Sequence, residues 1–223
     1  VPEYSMQMYS GNGLYPTYYN YKYPKAGEKN STVTVHSYSV ATKDTKTLQV
    51  PAEGDLYIPR ITFTKHSDQL AIMTLNRQQN LFNMYYANPK SGVFRLILHE
   101  QNKCYVDSDW LKSIHFVDNG FTYVSEQDGY SHIYFYSPTG VMQRQITQGN
   151  WDVTALLGYD EATKSCYYES AEESPIRRAI YKVDAKGVKT KLSTAEGTNH
   201  ADFSSNFTYF VNNYSNANTP ARI

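Results

Sequence analysis

The sequence predicts an all-β fold built from four-stranded antiparallel β-propeller blades, and three observations carry that expectation. Helical periodicity is nearly absent. Short runs rich in Tyr, Val, Ile, Phe and Thr alternate with turn clusters such as Asn88-Pro89-Lys90-Ser91-Gly92, Ser137-Pro138-Thr139-Gly140 and Asp184-Ala185-Lys186-Gly187. The pattern also repeats at a period of about 47 residues, the length of a four-stranded blade. A β-sandwich has no reason to repeat at fixed length.

The elements follow from aligning four segments on a tyrosine: Val35–Tyr38, Phe82–Tyr85, His132–Tyr134 and Ala179–Tyr181. Tyr38, Tyr85, Tyr134 and Tyr181 are spaced by 47, 49 and 47 residues. After each comes a polar turn and then a strand around Leu48, Leu96, Ile146 or Leu192. Before them stand the expected second strands, Gln69–Met73, Gly120–Val124 and Ser165–Tyr168. Earlier still are the expected inner strands, Arg60–Phe63, Ser113–Phe116 and Val153–Leu156, whose Ile61, Phe63, Ile114, Phe116, Val153 and Leu156 are expected to build the blade cores. A fifth unit begins near His200, with strands around Asp202-Phe203 and Phe207–Val211. Three complete blades between two partial ones predict a segment of a longer propeller spanning residues 1–223, and Val1-Pro2-Glu3, without a Met, fits an excised fragment.

Composition narrows the function. Twenty-one Lys and Arg balance 21 Asp and Glu, which argues against nucleic-acid binding, whose affinity comes largely from clustered positive charge. No run approaches the roughly 18 apolar residues of a membrane helix, and 22 tyrosines supply surface enough to fold. Cys104 and Cys166 match no metal-ligand spacing and read first as two unpaired thiols, with a pair formed in an oxidising compartment as the alternative. Gly-x-Ser-x-Gly, His-Glu-x-x-His, Cys-x-x-Cys and Gly-x-x-x-x-Gly-Lys do not occur. The six histidines are scattered, and His115 and His132 are expected to face solvent or a satisfied pocket. Gly11-Asn12-Gly13 reads as a turn. These residues predict no catalytic group, metal or cofactor.

Adjacent carboxylates can grip an ammonium, which draws attention to Glu172-Glu173. The repeat places them in a turn between second and third strands, followed by Arg177 and Arg178, so a mutually screened loop is expected. Lys186, Lys189 and Lys191 are expected to form a solvated outer edge.

Tyr23-Pro24-Lys25-Ala26-Gly27-Glu28-Lys29-Asn30 resembles a segment of the N-terminal propeller of the dipeptidyl peptidase IV family, the prolyl-oligopeptidase-like serine peptidases. Val1-Pro2-Glu3-Tyr4, Ser125–Tyr134 and Ile146–Val153 extend the resemblance along essentially the whole chain. The resemblance implies an eight-bladed propeller stacked on an α/β-hydrolase domain that bears a Ser-Asp-His triad. It further implies release of Xaa-Pro and Xaa-Ala dipeptides from peptide N-termini, with the propeller gating access and orienting substrate. The implied partners are that missing hydrolase domain, the peptide and a second copy in a homodimer. The implied location is secreted, periplasmic or membrane-anchored. Neither the triad nor the family's amine-binding glutamate pair has a counterpart here, and Glu172-Glu173 does not match that pair in position. Where the family keeps a substrate-side Arg and Phe, this chain reads Ser108-Asp109-Trp110-Leu111, which leaves Trp110 as the one candidate substrate contact. By its place at the start of a repeat, like Trp151, Trp110 is expected first of all to pack between blades, with the substrate contact as the alternative. A stand-alone propeller-like module that binds a protein or peptide is the alternative to a peptidase propeller.

Overall fold

A computed structural model describes residues 1–52 and 54–223. The chain opens with a two-stranded hairpin, β1 (Glu3–Met8) and β2 (Thr17–Lys22), turning around Gly11-Asn12. A second two-stranded sheet, β3 (Val35–Tyr38) and β4 (Thr45–Leu48), is followed by three four-stranded antiparallel meanders. The first comprises β5 (Leu56–Phe63), β6 (Leu70–Asn76), β7 (Leu81–Ala87) and β8 (Phe94–Gln101). The second comprises β9 (His115–Val117), β10 (Gly120–Ser125), β11 (His132–Tyr136) and β12 (Met142–Gln145). The third comprises β13 (Val153–Asp160), β14 (Ser165–Ser170), β15 (Ala179–Val183) and β16 (Lys189–Lys191). Three further strands, β17 (Thr198–Phe203), β18 (Phe210–Asn216) and β19 (Thr219–Arg222), complete the order. These sheets are propeller blades, numbered one to five from β3 onward.

The expected inner strands are found as β5, β9 and β13, but the core does not sit on them. Ile61 and Phe63 are 52% and 64% exposed, and Ile114 and Leu156 are half-buried; only Phe116 and Val153 are buried. An inner strand is paired along one edge only. The middle strands are paired along both edges and covered on both faces, so they carry the burial.

Alternation along those middle strands divides the core by blade interface. In β6, Leu70 and Ile72 join Val35, Leu48 and Ala87 against blade one, while Ala71, Met73 and Leu75 turn toward blade three. Phe82, Met84, Phe121, Tyr123, Tyr134 and Tyr136 fill that same two–three interface. Val124, Ile133, Cys166, Tyr168, Ala179 and Tyr181 fill the interface between blades three and four. A blade with two apolar faces is stable only between neighbours.

Three of the four aligned tyrosines are equivalent. Tyr85, Tyr134 and Tyr181 occupy third strands opposite Ile72, Tyr123 and Tyr168, and all three are buried. Tyr38 is 59% exposed and pairs with Thr45 at the end of its hairpin, the place held elsewhere by Ala87, Tyr136 and Val183. His36, opposite Thr47, stands where the other blades have tyrosine. The equivalent positions His36, Tyr85, Tyr134 and Tyr181 are spaced by 49, 49 and 47 residues, so a 47-residue step back from Tyr85 reaches a tyrosine two residues past the equivalent place in blade one.

Turns seat one blade on the next. Gly140 has φ +84°, and a Cβ there would lie 1.7 Å from the Ile97 carbonyl oxygen of the preceding blade. Phe207, expected to begin a strand, instead sits in the β17–β18 turn at φ +55°. Its ring stacks on Tyr167 at 4.6 Å and covers Gly158, where a Cβ would lie 2.6 Å from it.

Candidate functional site

The antiparallel meander sends the β6–β7, β10–β11 and β14–β15 turns to one face, together with a short 3-10 helix, Ser108–Lys112, that leads into β9. Asp107 caps this helix by accepting a hydrogen bond from the Asp109 amide at 2.8 Å, and Ser113 closes it through its amide to the Trp110 carbonyl. Buried Leu111 pins the helix into the blade two–three core, which leaves the neighbouring Trp110 half-buried against the blade three–four core. Trp110 also borders a cleft with Glu100, Tyr105, Asp107, Tyr123 and Glu126 that is closed to a water-sized sphere. Burial raises the Glu100 carboxyl above the ordinary range, against the lowering effect of hydrogen bonds from Tyr123 and Ser125.

On the same face the β14–β15 turn presents Glu172 and Glu173. Their partners are not Arg177 and Arg178 but two lysines of the outer strand β16: Glu172 Oε2 lies 2.7 Å from Lys189 Nζ, and Glu173 Oε1 lies 2.6 Å from Lys191 Nζ. Glu173 also accepts a hydrogen bond from the Tyr181 hydroxyl at 3.2 Å, and its carboxyl is held below the ordinary range chiefly by Lys191. Arg177 pairs instead with Glu196. The lysine edge is solvent-exposed as expected, and Lys189 and Lys191 in addition clamp the two glutamates, which leaves Lys186 outside these pairs. Sequence separation hid the clamp: the strand pairing Tyr181 with Lys191 is what brings residues 172–173 and 189–191 together.

The histidines resolve as expected. His132 is buried and satisfied, donating from Nε2 to the Gly149 carbonyl and accepting at Nδ1 from the Thr147 hydroxyl, while His115 has little cover. A carbonyl only accepts, so the proton of this imidazole is on Nε2. Cys104 is exposed, Cys166 is buried, and they are not paired. Burial pushes the Cys166 thiol up to about 12, which leaves it unreactive. Among the described residues no cluster of His, Cys, Asp and Glu could hold a metal, and no helix is long and apolar enough to cross a membrane. A cleft of about 670 Å³ opens on the opposite face between blades three and four, floored by the stacked rings of Phe135 and Tyr159. Its lining comes from separate blades, which no local motif announces.

Residues 1–221 match the model of the dipeptidyl peptidase IV N-terminal region. Dipeptidyl peptidase 4 of Arthroderma otae is 28% identical over 238 residues, which take in 99% of this chain and 30% of that protein. Dipeptidyl peptidase 4 of Trichophyton rubrum is 28% identical over 235 residues, with the same shares covered. The crystal structure of Porphyromonas gingivalis dipeptidyl peptidase 4 superposes with a TM-score of 0.93 at 59% identity, covering 99% of this chain and 31% of that one. This chain thus spans about a third of the length of the proteins it matches, and corresponds to a part of them that lies within a larger protein. Strand order, blade register and a match along nearly the whole sequence agree that the chain belongs to the dipeptidyl peptidase IV N-terminal region family.

Proposed function

We propose that this chain is the non-catalytic propeller portion of a serine-type dipeptidyl peptidase that releases Xaa-Pro and Xaa-Ala dipeptides from peptide N-termini. The observation that carries the reading is the superposition on P. gingivalis dipeptidyl peptidase 4 over 99% of the chain. The propeller's task is to gate access and orient the peptide, which is positioning rather than bond cleavage. Its partners are an α/β-hydrolase domain of the same protein, the peptide, and a second copy of the protein. The hairpin of β1 and β2 supports that last partner, because Leu14 and Tyr15 at its tip are 95% and 84% exposed. The location proposed is outside the cytoplasm: secreted, periplasmic or membrane-anchored. Trp110 is the proposed substrate-side contact beyond the dipeptide.

The test is cleavage of a chromogenic Xaa-Pro substrate by the full-length protein. Activity that disappears with its hydrolase serine is expected, while residues 1–223 alone should release nothing. A parent reading frame without Gly-x-Ser-x-Gly followed by Asp and His, together with no cleavage, would replace this reading with a stand-alone binding module.

A further inference from the structure

Lys189 is held in a way that a screened surface lysine is not. Its ammonium lies 5.6 Å from the centroid of Trp151 and 5.5 Å from that of Tyr181, and 2.7 Å from Glu172 Oε2. Both rings are within cation–π range, and the carboxylate is well covered, with 11% of the Glu172 side chain exposed. The rings are themselves fixed. Trp151 stacks on Tyr168 with an interplanar angle of 7°, and Tyr168 stacks in turn on Tyr181 at 5.6 Å. His132 meets Trp151 edge-on at 5.0 Å. Gly149, at φ +141°, leaves room for the indole: a Cβ there would lie 2.2 Å from Trp151 Nε1. The result is a preformed cage of two aromatic walls and one carboxylate. Its walls come from the blade three–four connection, the β14–β15 turn and β15, and its occupant from β16.

We propose that this cage is a primary-ammonium site which the chain fills with its own Lys189, and that the bound ammonium is the latch ordering the Ala171–Arg178 turn. Glu172 is the only part of the cage on that turn, so occupancy of the cage ties the turn to the outer strand. In the neighbouring pair the Glu173 side chain is 34% exposed, against 11% for Glu172, and among the described residues Lys191 has no aromatic ring within cation–π range. The Lys189 side chain is 46% exposed, so its removal leaves the cage accessible from solvent.

Hydrogen exchange and thermal melting of the full-length protein test this through Lys189→Ala and Lys189→Met, with Lys191→Ala as the comparison. Lys189→Ala should speed exchange across Ala171–Arg178 about tenfold, and Lys191→Ala should do much less. Ethylammonium, which replaces the missing end of the side chain, should restore protection in Lys189→Ala. Ethanol and sodium chloride at the same concentration should not. Lys189→Met keeps the aliphatic stem and so preserves the fold; its turn should loosen with an almost unchanged melting temperature, and ethylammonium should not rescue it. The proposal is overturned by unchanged turn exchange in Lys189→Met. Rescue of Lys189→Ala by ethanol as good as that by ethylammonium, or no rescue by either, overturns it equally.

Discussion

Trp110 shows how a single side chain divides between packing and recognition. The indole rests on the blade three–four core while buried Leu111 fixes its helix, and the cleft beside it admits no water-sized group. The packing role therefore rests on observed contacts, and the substrate role rests on the proposed function. Trp110→Ala in the full-length protein separates the two. Loss of a packed indole should lower stability by up to about 3–5 kcal/mol and depress activity on substrates of every length alike. A substrate contact would leave the melting temperature nearly unchanged and raise KM for longer peptides more than for dipeptide substrates. A large fall in melting temperature with unchanged length dependence eliminates the substrate role.

At the scale of the element, the three four-stranded blades solve their third-to-fourth-strand turns in the same way. Asn88 Oδ1 accepts from the amides of Lys90 and Ser91, Ser137 Oγ from those of Thr139 and Val141, and Asp184 Oδ1 from those of Lys186 and Val188. Only Asp184 is ionised, and its carboxyl is held below the ordinary range, first by the Val188 amide. A carboxyl depressed in the folded state stabilises above its unfolded pKa, and that contribution is lost as pH falls through the folded value. Protection of the Lys186–Val188 amides should accordingly drop once the pH passes below about 4, while the Asn88 and Ser137 turns hold. Asp184→Asn should abolish the dependence; a drop that persists in that variant, or that appears equally at Asn88, would refute the assignment.

At the scale of the whole molecule, each blade depends on its neighbours, because alternate residues of one strand serve two different cores. The first hairpin follows another rule. Its aromatic residues cluster among themselves, as Tyr4 does with Tyr21 and Tyr23, while Leu14, Tyr15, Tyr18 and Tyr19 stand in solvent. The proposed self-association, if it runs through this hairpin, predicts a dimer of the full-length protein by light scattering, converted to monomer by Leu14→Asp with Tyr18→Asp. Both positions are exposed, so the substitutions should leave the melting temperature of each subunit in place. A dimer that survives them, or a wild-type monomer, removes the hairpin from the interface.

Strand spacing, turn composition and the period of the repeat were enough to read the blades, the second and third strands and the buried tyrosines of three of them. These features are local: alternation follows from strand geometry, and turn residues act on their own backbone. The exposure of Ile61 and Phe63, the displacement of Tyr38 and the seat of Phe207 over Gly158 were decided by tertiary structure. So was the pairing of Glu172 with Lys189 rather than with the arginines beside it. A hydrophobic side chain is buried only where two surfaces close on it, and a charge takes the partner that the fold brings within reach. Both depend on residues dozens of positions away, whose proximity exists only once the blades have stacked.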